Sequence, residues 1–232
     1  MRILAIEHHA APSLGVVGES LDATGVETRV LWGEKGDLMP GSPEGYDGLV
    51  VLGGAMNALD DEHCPYFPEL LSLIRQFSSQ DRPVLGICLG AQLVARAFNG
   101  RALLEGPFEF GFHPVDLTED GKADPLIGHM SARQYLFQWH TDHFELPCDA
   151  VKLATGRDYP NQAYRIGCAT YGLQFHIEVT APIVDGWISN YPDMNDKAPD
   201  YANWLPGQFD AHAEQSREFC RELVHQWLML CQ

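Results

Sequence analysis

Apolar positions along this chain fall into short runs separated by stretches with helical spacing, and the alternation predicts the fold. Arg2 to Ile6 is a short, mostly apolar run that reads as a buried strand. Leu14, Val17 and Leu21 then recur on one helical face, with Ser13 placed to cap the helix and Gly25 to stop it. Glu27 to Leu31 predicts a second strand, and a Gly/Pro-rich connection follows from Gly33 to Pro43. Leu49 to Leu52 predicts a third strand, ending in Gly53-Gly54-Ala55-Met56-Asn57. A helix over Tyr66 to Phe77 leads to a fourth strand, Val84 to Ile87, and a helix over Leu89 to Phe98 that Gly100 ends. This βαβ alternation predicts an α/β fold with a doubly wound parallel sheet.

Beyond Arg101 the apolar runs shorten and look antiparallel: Phe112 to Leu117, Tyr135 to Trp139, Val151 to Thr155 and Gln162 to Arg165. They are expected to widen the same sheet. Tyr171 to Phe175 predicts one more strand, which delivers His176-Ile177-Glu178 at its end. A helix to about Ser189 follows Thr180. The Pro/Asp/Asn-rich stretch Tyr191 to Pro206 reads as a surface loop or a lid. Phe209, Ala213, Phe219, Leu223, Trp227 and Leu230 line one face of a long C-terminal helix. Residues 1–190 are thus expected to form one domain, with 191–232 packed on it.

Composition narrows the function. The 232 residues carry a formal net charge of -17, which argues against nucleic acid or an anionic membrane as partner and leaves a small molecule or a protein. Six cysteines show no C-x-x-C pair, so neither a zinc site nor a disulfide scaffold is expected. The apolar run at the N-terminus is too short for a signal peptide, and no stretch is long enough to span a bilayer; the expected location is the cytoplasm.

Cys88 carries the chemistry. It falls on the turn between the fourth strand and its helix, with Gly86 and Gly90 two positions either side, as in the strained elbow of hydrolases. A core cysteine is the ordinary alternative, but the flanking glycines favour a nucleophile pointing into solvent. A cysteine nucleophile needs a His base and a group to orient it. His176 and Glu178, two apart in an extended segment, face the same side and fill those roles; for Glu178 an ordinary N-terminal helix acid is the other reading. The backbone N–H groups of Gly54 and Leu89 would hold the oxyanion. Glu7-His8-His9 and His140-Thr141-Asp142-His143 offer metal-ligand types without a third ligand set by spacing, and no phosphate-binding glycine fingerprint is present. No metal and no cofactor are expected.

Gly86-Ile87-Cys88-Leu89-Gly90-Ala91-Gln92, with Gly53-Gly54-Ala55-Met56-Asn57 upstream and Gln174-Phe175-His176-Ile177-Glu178-Val179-Thr180 downstream, resembles the class I, or triad, glutamine amidotransferase domain over about residues 45 to 180. Glu109-Phe110-Gly111-Phe112 and Gln138-Trp139-His140-Thr141-Asp142 resemble its stand-alone, GMP-synthetase-like branch. The resemblance implies a flavodoxin-like fold, a thioester on Cys88 and catalytic roles for His176 and Glu178. It also implies that Gln92 contacts bound glutamine and that the main chain at Trp139, His140 and Thr141 clamps its α-amino and carboxylate groups. Ala55 and Ile177 stand where many relatives have proline, and Trp139 and Thr141 where dedicated glutaminases have smaller residues. No synthetase domain follows in this sequence, so an ammonia acceptor is expected to be another chain. The leading function is hydrolysis of the side-chain amide of glutamine. A γ-glutamyl compound as substrate is the alternative, and a non-catalytic binding or regulatory role the third.

Overall fold

A computed structural model describes residues 1–8 and 14–231. The Ser13 cap and His9 lie outside the described residues. In chain order the elements are β1 (Arg2–Glu7), α1 (Gly15–Ala23), β2 (Glu27–Trp32), β3 (Gly48–Val51), α2 (Phe67–Ser79), β4 (Val84–Ile87) and α3 (Leu89–Ala97). There follow β5 (Arg101–Leu103), β6 (Glu109–Leu117), α4 (Glu119–Ala123), β7 (Arg133–His140), β8 (His143–Glu145), β9 (Ala150–Gly156), β10 (Ala163–Ile166) and β11 (Thr170–Leu173). Three helices end the chain: α5 (Ala181–Ser189), α6 (Met194–Lys197) and α7 (Tyr201–Leu230).

The main sheet runs β2-β1-β3-β4-β11-β10-β9-β6-β7. Its first five strands are parallel and its last four extend it antiparallel, while β5 and β8 pair as a separate ribbon. The parallel half has the flavodoxin-like order, with β11 in fifth place. Period-2 alternation feeds two apolar layers: Ile3 and Ala5 join α1 and the C-terminal half of α7 on one face, and Leu4 and Ile6 join α2 and α3 on the other. Both layers are fully closed around β1, β3 and β4, so the carboxyl ends of these strands form a rigid rim.

Two expectations need correction. The stretch Tyr191 to Pro206 is not a plain loop, because it contains α6 and the first turn of α7. Pro206 stands only one turn inside α7, where its ring removes a single helical hydrogen bond, so the helix begins before the proline instead of after it. The predicted strand Tyr171 to Phe175 pairs only as far as Leu173. Gln174 and Phe175 continue fully buried, and His176 is caught by a lone bridge in which its N–H donates to the Phe137 carbonyl at 2.8 Å. Chain length hid β5, β8 and α4: segments of three to five residues have too few positions for a period.

Candidate active site

The turn from β4 to α3 is built by exclusion of side chains. A Cβ on Gly86 would lie 2.6 Å from the Gly90 carbonyl oxygen, and one on Gly90 would lie 2.0 Å from the Val51 carbonyl oxygen. Only glycines let α3 start this close to β3 and β4. Between them Cys88 adopts φ 52°, ψ -109°, a conformation L-residues avoid. Its N–H donates to the Leu173 carbonyl at 2.8 Å, and its own carbonyl accepts from Gln92 N–H at 3.1 Å. The strain is therefore held from both sides. Cys88 is 5% exposed and does not face open solvent as expected: the end of β7 roofs it, with Sγ 3.9 Å from the Trp139 carbonyl oxygen and 3.8 Å from Gln174 Nε2.

The His176 ring stands next to Cys88, and its Nδ1 lies 2.6 Å from Glu178 Oε1. All three side chains are buried. Burial alone would lower the imidazole pKa, but the Glu178 carboxylate and Cys88 outweigh it and raise the value to about 10. The imidazole therefore keeps its second proton at neutral pH. Glu178 is fixed from behind, where its main-chain carbonyl accepts from Val16 N–H at 3.0 Å and a Cβ on Gly15 would lie 2.0 Å from that oxygen. Gly53 leaves room for the Cys88 and His176 side chains to approach, since a Cβ there would sit 3.0 Å from His176 Cε1 and 3.4 Å from Cys88 Cβ.

These residues open into a cavity of about 240 Å³, small beside the roughly 300–1,000 Å³ typical of drug-sized ligand sites. Gly54 and Leu89 line it side by side: a Cβ on Gly54 would meet Leu89 Cδ2 at 2.9 Å. Leu89 is the first residue of α3, so its N–H has no partner within the helix. The loop carrying Gly54 is pinned to α3, because Arg96 forks onto Asp61 with both contacts at 2.6 Å and donates to the Ala58 carbonyl.

Gln92, Trp139, His140 and Thr141 also line the cavity. Gln92 is buried, and its amide donates to the Asp142 carbonyl at 3.0 Å. Thr141 is held through its carbonyl, which accepts from Gly106 N–H and Tyr159 O–H, each at 3.0 Å. The His140 ring is spent on structure: Nδ1 meets the Asp142 carbonyl, and Nε2 lies 3.1 Å from Glu109 Oε2 and 3.2 Å from Gln138 Oε1. Gln138 donates to Gln162, which closes a buried polar network under the end of β7. Among the described residues no group of three or more His, Cys, Asp or Glu is arranged for a metal ion, and no helix is long and apolar enough to cross a membrane.

Sequence reasoning missed the other wall. Phe108, Trp187, Asn190 and Tyr191 line the cavity, as do Met56, Asp142 and Glu178. Trp187 lies 5.0 Å from the His176 ring centroid, and Trp139 meets Trp187 and Tyr191 edge-on, each at 5.8 Å. The signal that could have found them is two aromatic residues in a helix and its exit right after the His-x-Glu segment, where α5 buries only Val184.

The glutamine amidotransferase class-I family model matches residues 16–184. A glutamine amidotransferase-like protein of Salmonella typhimurium, YfeJ, is 34% identical over 196 residues, 82% of this chain and 81% of its own. A glutamine-hydrolyzing GMP synthase of Natronomonas pharaonis, named as one subunit of that enzyme, is 31% identical over 177 residues, 75% of this chain and 81% of its own. Longer GMP synthases match in part: the chain spans 32% of the one from Christiangramia forsetii. A crystal structure of a glutamine amidotransferase from Thermotoga maritima superposes with a TM-score of 0.88 at 30% identity, covering 98% of both chains.

Proposed function

The chain belongs to the class I glutamine amidotransferase family, and from that premise we propose that it hydrolyses the γ-amide of glutamine through a thioester on Cys88, giving glutamate and ammonia. In this reading the Cys88 thiolate attacks the amide carbon, and the N–H groups of Gly54 and Leu89 receive the developing oxyanion. Protonated His176 gives its proton to the leaving nitrogen as the C–N bond breaks. The neutral imidazole then takes a proton from water, whose oxygen adds to the thioester carbon; collapse releases glutamate and restores the thiolate and imidazolium. Glu178 orients the ring and stabilises its charge. Gln92 and the main chain from Trp139 to Thr141 hold the glutamyl head.

What supports the proposal is a buried line of side chains at a cavity of amino-acid size: the strained Cys88, the His176 ring next to it, and Glu178 bonded to that ring. Residues 1–190 supply that line in this reading, and 191–232 complete its surroundings. The Natronomonas relative, being one part of a larger enzyme, favours a separate protein as ammonia acceptor. Incubation of the purified chain with glutamine, reading glutamate, tests the function; a glutamine-mimicking electrophile should modify Cys88. Absence of both turnover and labelling would leave a binding or regulatory role.

A further inference from the structure

The proposed mechanism fixes which way a substrate must lie. The glutamyl head goes toward Gln92, Thr141 and Asp142, which are joined by the Gln92 to Asp142 hydrogen bond. The leaving nitrogen goes toward His176, because that ring must hand it a proton. Any substituent on that nitrogen therefore continues past His176, and what stands there is Trp187, 5.0 Å away and inclined at 59° to the imidazole. Trp139 and Tyr191 extend the same wall, and Met56 and Phe108 complete the lining.

These rings are set before any ligand arrives. Trp139 is held edge-on by Phe110 at 4.8 Å as well as by Trp187 and Tyr191, and the set packs into an apolar cluster with Val184, Met194 and Leu205. Trp139, Trp187, Tyr191, Phe108 and Met56 are nevertheless half-buried, not closed off, so their free faces border the cavity. Ammonia has no apolar surface to place there. An aryl or alkyl group does, and aromatic faces reward a ring by geometry as well as by area.

Charge narrows the class further. No Lys or Arg lines the cavity among the described residues, and the segment 9–13 contains none in its sequence. The ionisable acids that do line it are Asp142 and Glu178. The Asn190 side chain donates to the Gly186 carbonyl at 2.8 Å and carries no charge. Protonated His176 is already paired with Glu178 at 2.6 Å, so a carboxylate on the leaving group would meet acidic side chains and aromatic faces with no unpaired Lys or Arg among the described lining residues.

We infer that this wall is a leaving-group subsite, and that the enzyme takes γ-glutamyl amides of aromatic or alkyl amines that carry no carboxylate, in preference to glutamine or γ-glutamyl amino acids. The inference rests on the thioester mechanism proposed above. The bonds are those of that mechanism: the C–N bond breaks, the amine leaves with the proton from His176, and water supplies the oxygen of glutamate.

The test compares kcat/KM of the full chain for glutamine, γ-glutamylbenzylamide and γ-glutamylphenylalanine. Benzylamine and ammonia are of similar basicity, so a difference between the first two reports binding beyond the scissile bond and not leaving-group chemistry. The benzylamide should exceed both others at least tenfold, about 1.4 kcal/mol in transition-state binding. Tyr191→Ala, at the outer end of the wall, should lower the benzylamide-to-glutamine ratio, and a small variant there tests the wall without touching Cys88, His176 or Glu178. A benzylamide kcat/KM less than tenfold above that of glutamine overturns the subsite while leaving the amidase intact. A preference for γ-glutamylphenylalanine overturns the requirement for an uncharged amine. Turnover of none of the three, with Cys88 unlabelled, sinks the amidase reading and the subsite together.

Discussion

Replacing Glu178 by Gln isolates one property, the charge behind the base. Gln keeps an acceptor oxygen where Oε1 meets His176 Nδ1 at 2.6 Å, and it puts an NH2 where Oε2 has no hydrogen-bond partner among the described residues. Shape is thus preserved and the negative charge removed. A hydrogen bond to a charged group contributes about 1.5–3 kcal/mol, which corresponds to a loss of roughly 10- to 150-fold in kcat/KM. Removing the base itself with His176→Ala should cost more, since general acid–base catalysis supplies roughly 10²–10⁴-fold and the thiolate loses its counter-ion as well.

The same substitution makes a second, independent demand. Burial pushes the His176 pKa down, and Glu178 and Cys88 bring it up to about 10. Without the carboxylate the burial effect is opposed by Cys88 alone, so the pKa falls. Because protonated His176 serves the leaving amine in the proposed mechanism, the alkaline limb of the pH profile of kcat/KM should move to lower pH in Glu178→Gln. The assay is glutamate release from glutamine across pH, with circular dichroism to confirm folding. Loss equal to that of His176→Ala in a folded protein, or an alkaline limb that does not move, would refute the orienting and charge-stabilising role.

Three further outcomes follow from the geometry. Cys88→Ala should abolish turnover and electrophile labelling while the protein stays folded, because the thiol lines a cavity and its loss removes little packing; native-rate turnover would exclude it as nucleophile. Gly90→Ala should destabilise by about 3 kcal/mol or more in denaturant unfolding, since the new Cβ would lie 2.0 Å from the Val51 carbonyl oxygen and backbone cannot step aside as a side chain can; unchanged stability would mean that α3 has room to move. Glu7→Gln should stabilise the protein near neutral pH by on the order of 2 kcal/mol. Burial raises the Glu7 carboxyl from its ordinary 4.5 to about 7, so the wild type loses stability as pH rises through that interval; a variant with the same pH dependence as wild type would contradict this.

What could be read from the sequence was what local sterics determine. The elbow was legible because glycines two either side of a cysteine, after a four-residue apolar run, allow few other backbones. The pairing of His176 with Glu178 was legible because an extended chain puts residues two apart on one side. The roof over Cys88 was not, because Trp139 is brought there by a strand at the far edge of the sheet that bridges back to His176 through Phe137. No short-range period encodes that closure. The aromatic wall failed to show for a different reason: Trp187 and Tyr191 have the composition of core residues, and only the packing of α5 against β7 reveals that one face of each is left for the cavity.

The two halves of the site are also held by different physics, and this bears on how they can vary. The turn that carries Cys88 is fixed by backbone contacts at van der Waals limit, where a Cβ on Gly86 or Gly90 would collide with the carbonyl oxygen of Gly90 or Val51. The wall is fixed by side-chain packing among Phe110, Val184, Met194 and Leu205, where one apolar residue can replace another of similar volume for less than about 1.5 kcal/mol. Under the proposed reading, changes in the wall should alter which amine is accepted without disturbing Cys88. Changes in the elbow alter the chemistry and the fold at once. That separation follows from placing Cys88 at the end of a parallel strand and the wall on side chains of β7, α5 and the neighbouring loops.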